Sequence, residues 1–172
     1  AHANPPEYAG RADAYAALVV DEMIPAAAQW YRESHFPAQG TPFFIDVFCE
    51  RNAFTLEQSR RVLEAGAAHG MRVKAHVDEF TTLGGVGMAA AHGAVSVDHL
   101  DVTPHEDIAH LREGDTVAIV IPAVNFNLGS THFADARALL DGGAALALAT
   151  DFNPGSAPCP SMPLVMAIAC RY

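Results

Sequence analysis

Apolar residues fall into five short runs, separated by stretches with the spacing of helices. Residues 43–48 (FFIDVF) are aromatic and β-branched, which suits a strand. The runs at 71–77, 94–98, 116–121 (TVAIVI) and 144–150 (AALALAT) predict four more. Thr55 and Gln58 have the spacing of a capping box. Leu56, Val62 and Leu63 then carry a helix that Gly70 stops. Further helices are expected over 83–92, 104–112 and 132–140, closed by Gly93, Gly114 and the Gly142-Gly143 pair, and another from near Ser161. A long helix over 11–32, kinked at Pro25, precedes the first strand. A strand end at Ala1-His2-Ala3 would add a sixth strand.

Strand and helix alternate about every 25 residues, the signature of βα units around a parallel sheet. Two architectures compete: an open doubly wound sheet, or most of a (β/α)8 barrel, which needs about 250 residues when complete. No GxGxxG phosphate fingerprint occupies a βα turn, and Gly84-Gly85-Val86-Gly87 lacks its spacing. That weighs against dinucleotide binding.

In a parallel α/β fold the chemistry gathers at the carboxyl ends of the strands. His76, His99 and Asp151 each close a predicted strand, and His2 is a candidate fourth. In 145–151 the leucines take one face and the alanines share the other with Asp151, which would turn Asp151 toward a barrel bore. Lys74 and His76 likewise oppose Val73, Ala75 and Val77. For His99 the alternation is ambiguous, since Val95 and Val97 share its face. Singly, each residue has a plain reading: a strand-end His is commonly a structural hydrogen-bonding group, and Asp151 could cap the turn at Asn153-Pro154-Gly155. Together, imidazoles and a carboxylate on separate strands of one rim are the ligand chemistry of a hydrolytic metal such as zinc or iron.

Composition narrows the partners. The chain has 172 residues, 51% of them hydrophobic and 17% charged, enough to bury a core. With 10 basic against 20 acidic residues and no basic cluster, neither nucleic acid nor an anionic membrane is an expected partner. No run approaches the ~18 apolar residues that span a bilayer, and the first ten residues have no signal-peptide pattern. Cys49, Cys159 and Cys170 are too scattered for a disulfide framework, which fits reduced thiols in the cytoplasm. Both ends look cut: there is no initiator Met, and the last residues fall inside an apolar helical pattern.

The segment from FFIDVFCERNAF through MRVKAHVDEF, together with GAVSVDHL and ALATDFNPGSAPCPSMPLVMAIAC, resembles the imidazolonepropionase family of metal-dependent amidohydrolases. HVDE and ATDFNPGS are the most specific parts, and residues 29–42 look like an insertion. The resemblance implies an incomplete amidohydrolase-type (β/α)8 barrel domain over 1–172, about strands three to eight. It implies one divalent metal ion, zinc or iron, held by His76 and Asp151. It further implies catalytic roles for Glu79, His99 and Asp151, and substrate contacts from His2, Glu79, Asn153, Gly155 and Ser156. The small-molecule substrate would be 4-imidazolone-5-propanoate, opened by water to N-formimidoyl-L-glutamate in the cytoplasm, with a homodimer expected of the full-length protein. The family's His-x-His pair has no match among the nine histidines. It is expected upstream of Ala1, so the chain would hold two of four metal ligands and be inactive alone. Two alternatives stay open: another cyclic-amide amidohydrolase or deaminase of the superfamily, and a non-catalytic small-molecule-binding α/β domain.

Overall fold

The computed structural model describes residues 2–172. It contains five strands, β1 (Phe44–Cys49), β2 (Arg72–Val77), β3 (Ser96–His99), β4 (Val117–Val120) and β5 (Leu146–Leu148). All pair in parallel, in the spatial order β1-β2-β3-β4-β5. That order decides between the two architectures. A doubly wound sheet reverses direction at a switch point, whereas strands laid down in sequence curve steadily, as in a barrel.

The helices are α1 (Ala12–Leu18), α2 (Ile24–Glu33), α3 (Leu56–Ala68), α4 (Gly85–Ala91), α5 (Ile108–Glu113), α6 (Pro122–Leu128), α7 (Ala136–Asp141) and α8 (Met162–Arg171). The capping box on α3 forms as expected: Gln58 N–H donates to Thr55 Oγ1 at 3.3 Å, and Thr55 N–H to Gln58 Oε1 at 3.0 Å. Ser161 caps α8. Pro25 has no N–H for the preceding turn, and a π-helical segment at Val19–Met23 joins α1 to α2 just before it.

Three expectations need correction. His2 and Ala3 lie outside any strand, and Ala1 is outside the described residues. The helix expected from 132 begins only at Ala136, because Asp135 supplies the cap through its carboxylate to Ala138 N–H. Helix α6 was not anticipated at all.

Register sorts the side chains. Ile45, Val47, Cys49, Val73, Ala75, Val77, Val97, Ala118 and Val120 face the helices and are buried in one core. The opposite face carries Asp46 beside Lys74, then His76 beside Asp98, and Ile119 beside Ala147. It is therefore polar at Asp46, between Phe44 and Phe48 of β1, and along β2–β3, and apolar along β4–β5. Leu146 and Leu148 pack on the helix side, as the alternation required. Close helix packing holds the sheet in place: a Cβ on Gly66 would come within 2.4 Å of Ile45 Cβ. Among the described residues no helix is long and apolar enough to cross a membrane.

Candidate metal centre

The polar face ends in a cluster at the carboxyl rim. His76, near the end of β2, points its Nε2 at Asp46 Oδ2, 2.9 Å away on β1. Its other nitrogen, Nδ1, lies 3.2 Å from His99 Nε2. His2 closes the group from the chain's start, its Nε2 3.7 Å from Asp46 Oδ2 and its ring edge-on to His76 with centroids 4.3 Å apart. Among the described residues, His2, Asp46 and His76 offer ligand atoms within 4.8 Å of one another. Two imidazoles and a carboxylate are a donor set for zinc or iron.

Strand register alone would send His99 to the helix side, since it pairs with Val77. Backbone geometry overrides register: His99 has φ 84° and Leu100 φ 66°. Both lie in the left-handed region that costs a non-glycine residue about 1–3 kcal/mol, and such strain concentrates at functional sites. Asp78 (φ 54°) and Asp151 (φ 47°) share it at the ends of β2 and β5. Three strand ends that carry chemistry, those of β2, β3 and β5, thus turn by the same means.

Glu79 follows Asp78, and its Oε2 sits 3.6 Å from His99 Nε2. The loop carrying it is clamped by buried Glu50, whose carboxylate accepts the N–H groups of Phe80 and Thr81, each at 3.0 Å, and the Thr81 hydroxyl. Lys74 donates to Ser96 Oγ at 2.5 Å and lies 3.5 Å from Asp98 Oδ2 deeper on the same face. Asp98 Oδ2 is in turn 3.7 Å from His76 Nε2.

Charge states follow from this crowding. Burial alone would lower the His76 pKa, but the hydrogen bond to Asp46 and the charges of Asp46, Asp98 and Asp151 raise it. Burial would raise Asp46, and the His76 hydrogen bond and charge bring it below its ordinary value. His99, buried and flanked by His76 and His2, drops to about 3 and is neutral. Burial and the nearby Asp151 charge push Glu79 up to about 7.

Asp151 itself is raised by burial, against the opposing pull of His76. It acts on His76 and Glu79 through its charge and stands outside the three-residue group with converging ligand atoms. Asn153 holds the loop around it. Its Nδ2 donates to the Asp151 carbonyl at 2.7 Å and to Ser156 Oγ at 3.0 Å, and its Oδ1 accepts the N–H groups of Gly155 and Ser156, each at 2.8 Å. The Asn153 side chain is therefore engaged inside the loop, which presents Gly155 and Ser156 at the rim.

Sequence reasoning singled out His2, His76, Glu79, His99 and Asp151 but passed over Asp46, Asp98 and Glu50. Asp46 had a signal: a single carboxylate in FFIDVF, two residues from the strand end and on the face of Phe44 and Phe48.

No family model matches the chain. Over all 172 residues it is 58% identical to imidazolonepropionase of Chloroflexus aggregans, 49% to that of Herpetosiphon aurantiacus and 46% to that of Geobacillus kaustophilus. It spans 40%, 40% and 38% of the lengths of those relatives. Among solved structures, a zinc-bound adenosine deaminase from Xanthomonas campestris superposes with TM-score 0.57 at 18% identity, covering 73% of this chain and 31% of the deaminase. A zinc complex of atrazine chlorohydrolase from Arthrobacter aurescens gives 0.56 at 18% identity, covering 75% of this chain and 31% of that enzyme. These likenesses show the fold alone, an arc of a (β/α)8 barrel.

Proposed function

We propose that this chain is the metal-holding and proton-transferring segment of an imidazolonepropionase, a hydrolase of histidine degradation that opens a cyclic C–N bond. The observation that carries the reading is the buried His76–His99 pair, with Asp46 on one side and Glu79 on the other. It occurs in a chain matched along its whole length by imidazolonepropionases. The substrate of this reading is 4-imidazolone-5-propanoate and the product N-formimidoyl-L-glutamate, handled by a cytoplasmic full-length protein that forms a homodimer.

One divalent ion, zinc or iron, would be held by His76 and Asp151, with Asp46 and His2 beside them. When bound, such an ion lowers the pKa of water and polarises the ring carbonyl. Asp151, a rim carboxylate, takes the proton as the water oxygen adds to the carbonyl carbon. The C–N bond then breaks, and the departing nitrogen needs a proton. Glu79 suits that task better than His99. A carboxyl held at about 7 carries a proton near neutral pH, whereas a His held at about 3 has none to spare. Gly155 and Ser156 at the rim, together with His2 and Glu79, are placed to hold the ring and its anionic tail, with Asn153 fixing their loop.

Substrate choice separates this reading from its neighbours. The full-length protein is expected to consume 4-imidazolone-5-propanoate and leave cytosine and hydantoin untouched. Comparable kcat/KM on cytosine would favour another amidohydrolase or deaminase. No turnover of any of the three by metal-loaded protein would favour a binding domain without catalysis.

A further inference from the structure

We infer that Asp101 is a positioning residue that keeps the single proton of His99 on Nδ1, leaving His99 Nε2 as an acceptor for His76 Nδ1–H and so fixing the His76 ring with its Nε2 toward Asp46 and the metal site. The inference rests on the metal-binding reading of that site for its last link only.

The placement begins with the strained turn after β3. Left-handed φ values at His99 and Leu100 fold the chain back, so that Asp101 comes beside the His99 ring. Asp101 Oδ2 lies 4.0 Å from His99 Nδ1, and both side chains are only 3% exposed. Neither of these two atoms has a hydrogen-bond partner among the described residues. Two buried orphan groups whose side chains face each other are rare in folded proteins, and here each could satisfy the other. A proton on Nδ1 satisfies both with a small ring movement, because catalytic hydrogen bonds commonly shorten when a site is filled. A proton on Nε2 would instead leave the Nδ1 lone pair facing a buried carboxylate, acceptor against acceptor.

The carboxylate is itself held for this task. Its Oδ1 accepts the N–H of Ala134 at 3.1 Å, and Asn125 beside it also favours the charged form. Burial and the Glu79 charge outweigh these groups and push Asp101 up to about 7. An N–H from His99 would add a further donor and favour the charge. The chain Asp101–His99–His76 then runs from a backbone-anchored carboxylate to the nitrogen that faces Asp46. Metal-binding histidines are commonly fixed through the second ring nitrogen, and here the fixing group is another histidine. No part of this chain is explained by packing alone, since an apolar residue at 101 would fill the same space without a partner for His99.

The experiment is long-range proton–nitrogen NMR on full-length protein with 15N-labelled histidines, metal-free and zinc-loaded, with His99 signals assigned by their loss in His99→Gln. The expected result is a protonated Nδ1 and a bare Nε2 on His99 in both states. In Asp101→Asn, whose amide can offer its own N–H to Nδ1, the proton should move to Nε2, and zinc affinity should fall about tenfold. Asp101→Glu should keep Nδ1–H. A wild-type His99 protonated on Nε2 overturns the inference, and that spectrum needs no variant to fold. So does an Asp101→Asn protein with unchanged tautomer and zinc affinity. A protein that shows the expected tautomers but binds no zinc would instead defeat the metal reading of the site, leaving the role of Asp101 toward His99 intact.

Discussion

Asp151 is asked to be both a ligand and a base, so it is the residue whose loss should be most costly. Asp151→Asn in the full-length protein keeps the shape of the loop but removes a negative charge that acts on both His76 and Glu79. Turnover should fall roughly a hundredfold to ten-thousandfold, the usual cost of a lost acid–base group. His105→Ala, at a side chain 76% exposed in the turn before α5, should change kcat/KM little in the same assay. Near-normal turnover in Asp151→Asn with its metal bound would remove the base from the mechanism. At this scale the sequence was readable where a polar residue closed a strand, as with His76, whose ring meets Asp46 and His99. It was ambiguous at His99, because period-two alternation assumes an extended backbone and the ring is turned by a left-handed φ. Asp101 lay beyond any periodic pattern, since only the folded turn brings it to His99.

At the scale of elements, α3 packs closely against β1 at Gly66. Gly66 lies inside α3, where alanine would ordinarily gain about 1 kcal/mol over glycine. A Cβ there would meet Ile45 Cβ, Cγ1 and Cγ2 at 2.4–2.7 Å, a position anchored to the strand rather than a flexible tip. Overpacking of this kind costs about 1–3 kcal/mol, so the clash should win. Gly66→Ala is expected to lower the urea midpoint of the full-length protein, and an unchanged or higher midpoint would show that α3 can slide. The strands and most helices were legible from apolar runs and glycine stops. Helix α6 was missed although its punctuation was present: Pro122 occupies its first position, and Gly129, at φ 68°, ends it. Its buried residues Ala123, Val124 and Asn125 follow a strand so closely that the apolar run gave no gap to mark a new element.

Over the whole molecule, the order β1-β2-β3-β4-β5 leaves β1 and β5 as the two edges of the sheet. The face toward a bore carries half-buried Phe44, Phe48 and Ile119. Unpaired parallel edges beside apolar surface invite pairing with another chain. The 172-residue polypeptide on its own is therefore expected to self-associate at micromolar concentration, measured as a light-scattering mass above the monomer. A monomer that unfolds in one sharp transition would contradict an open arc. The barrel itself was only one of two readings in the sequence, because alternating strands and helices do not encode strand order. The parallel neighbours in sequence decide it. The central claim is that a metal at the His76 rim drives hydrolysis of the imidazolone ring. Its most direct measurement is turnover of 4-imidazolone-5-propanoate by metal-stripped full-length protein as zinc or iron is added back. Turnover should be absent at the start and rise to a plateau near about one ion per chain, the amount one activated water requires. Full turnover in the stripped protein, or none at saturation with either metal, would contradict the account.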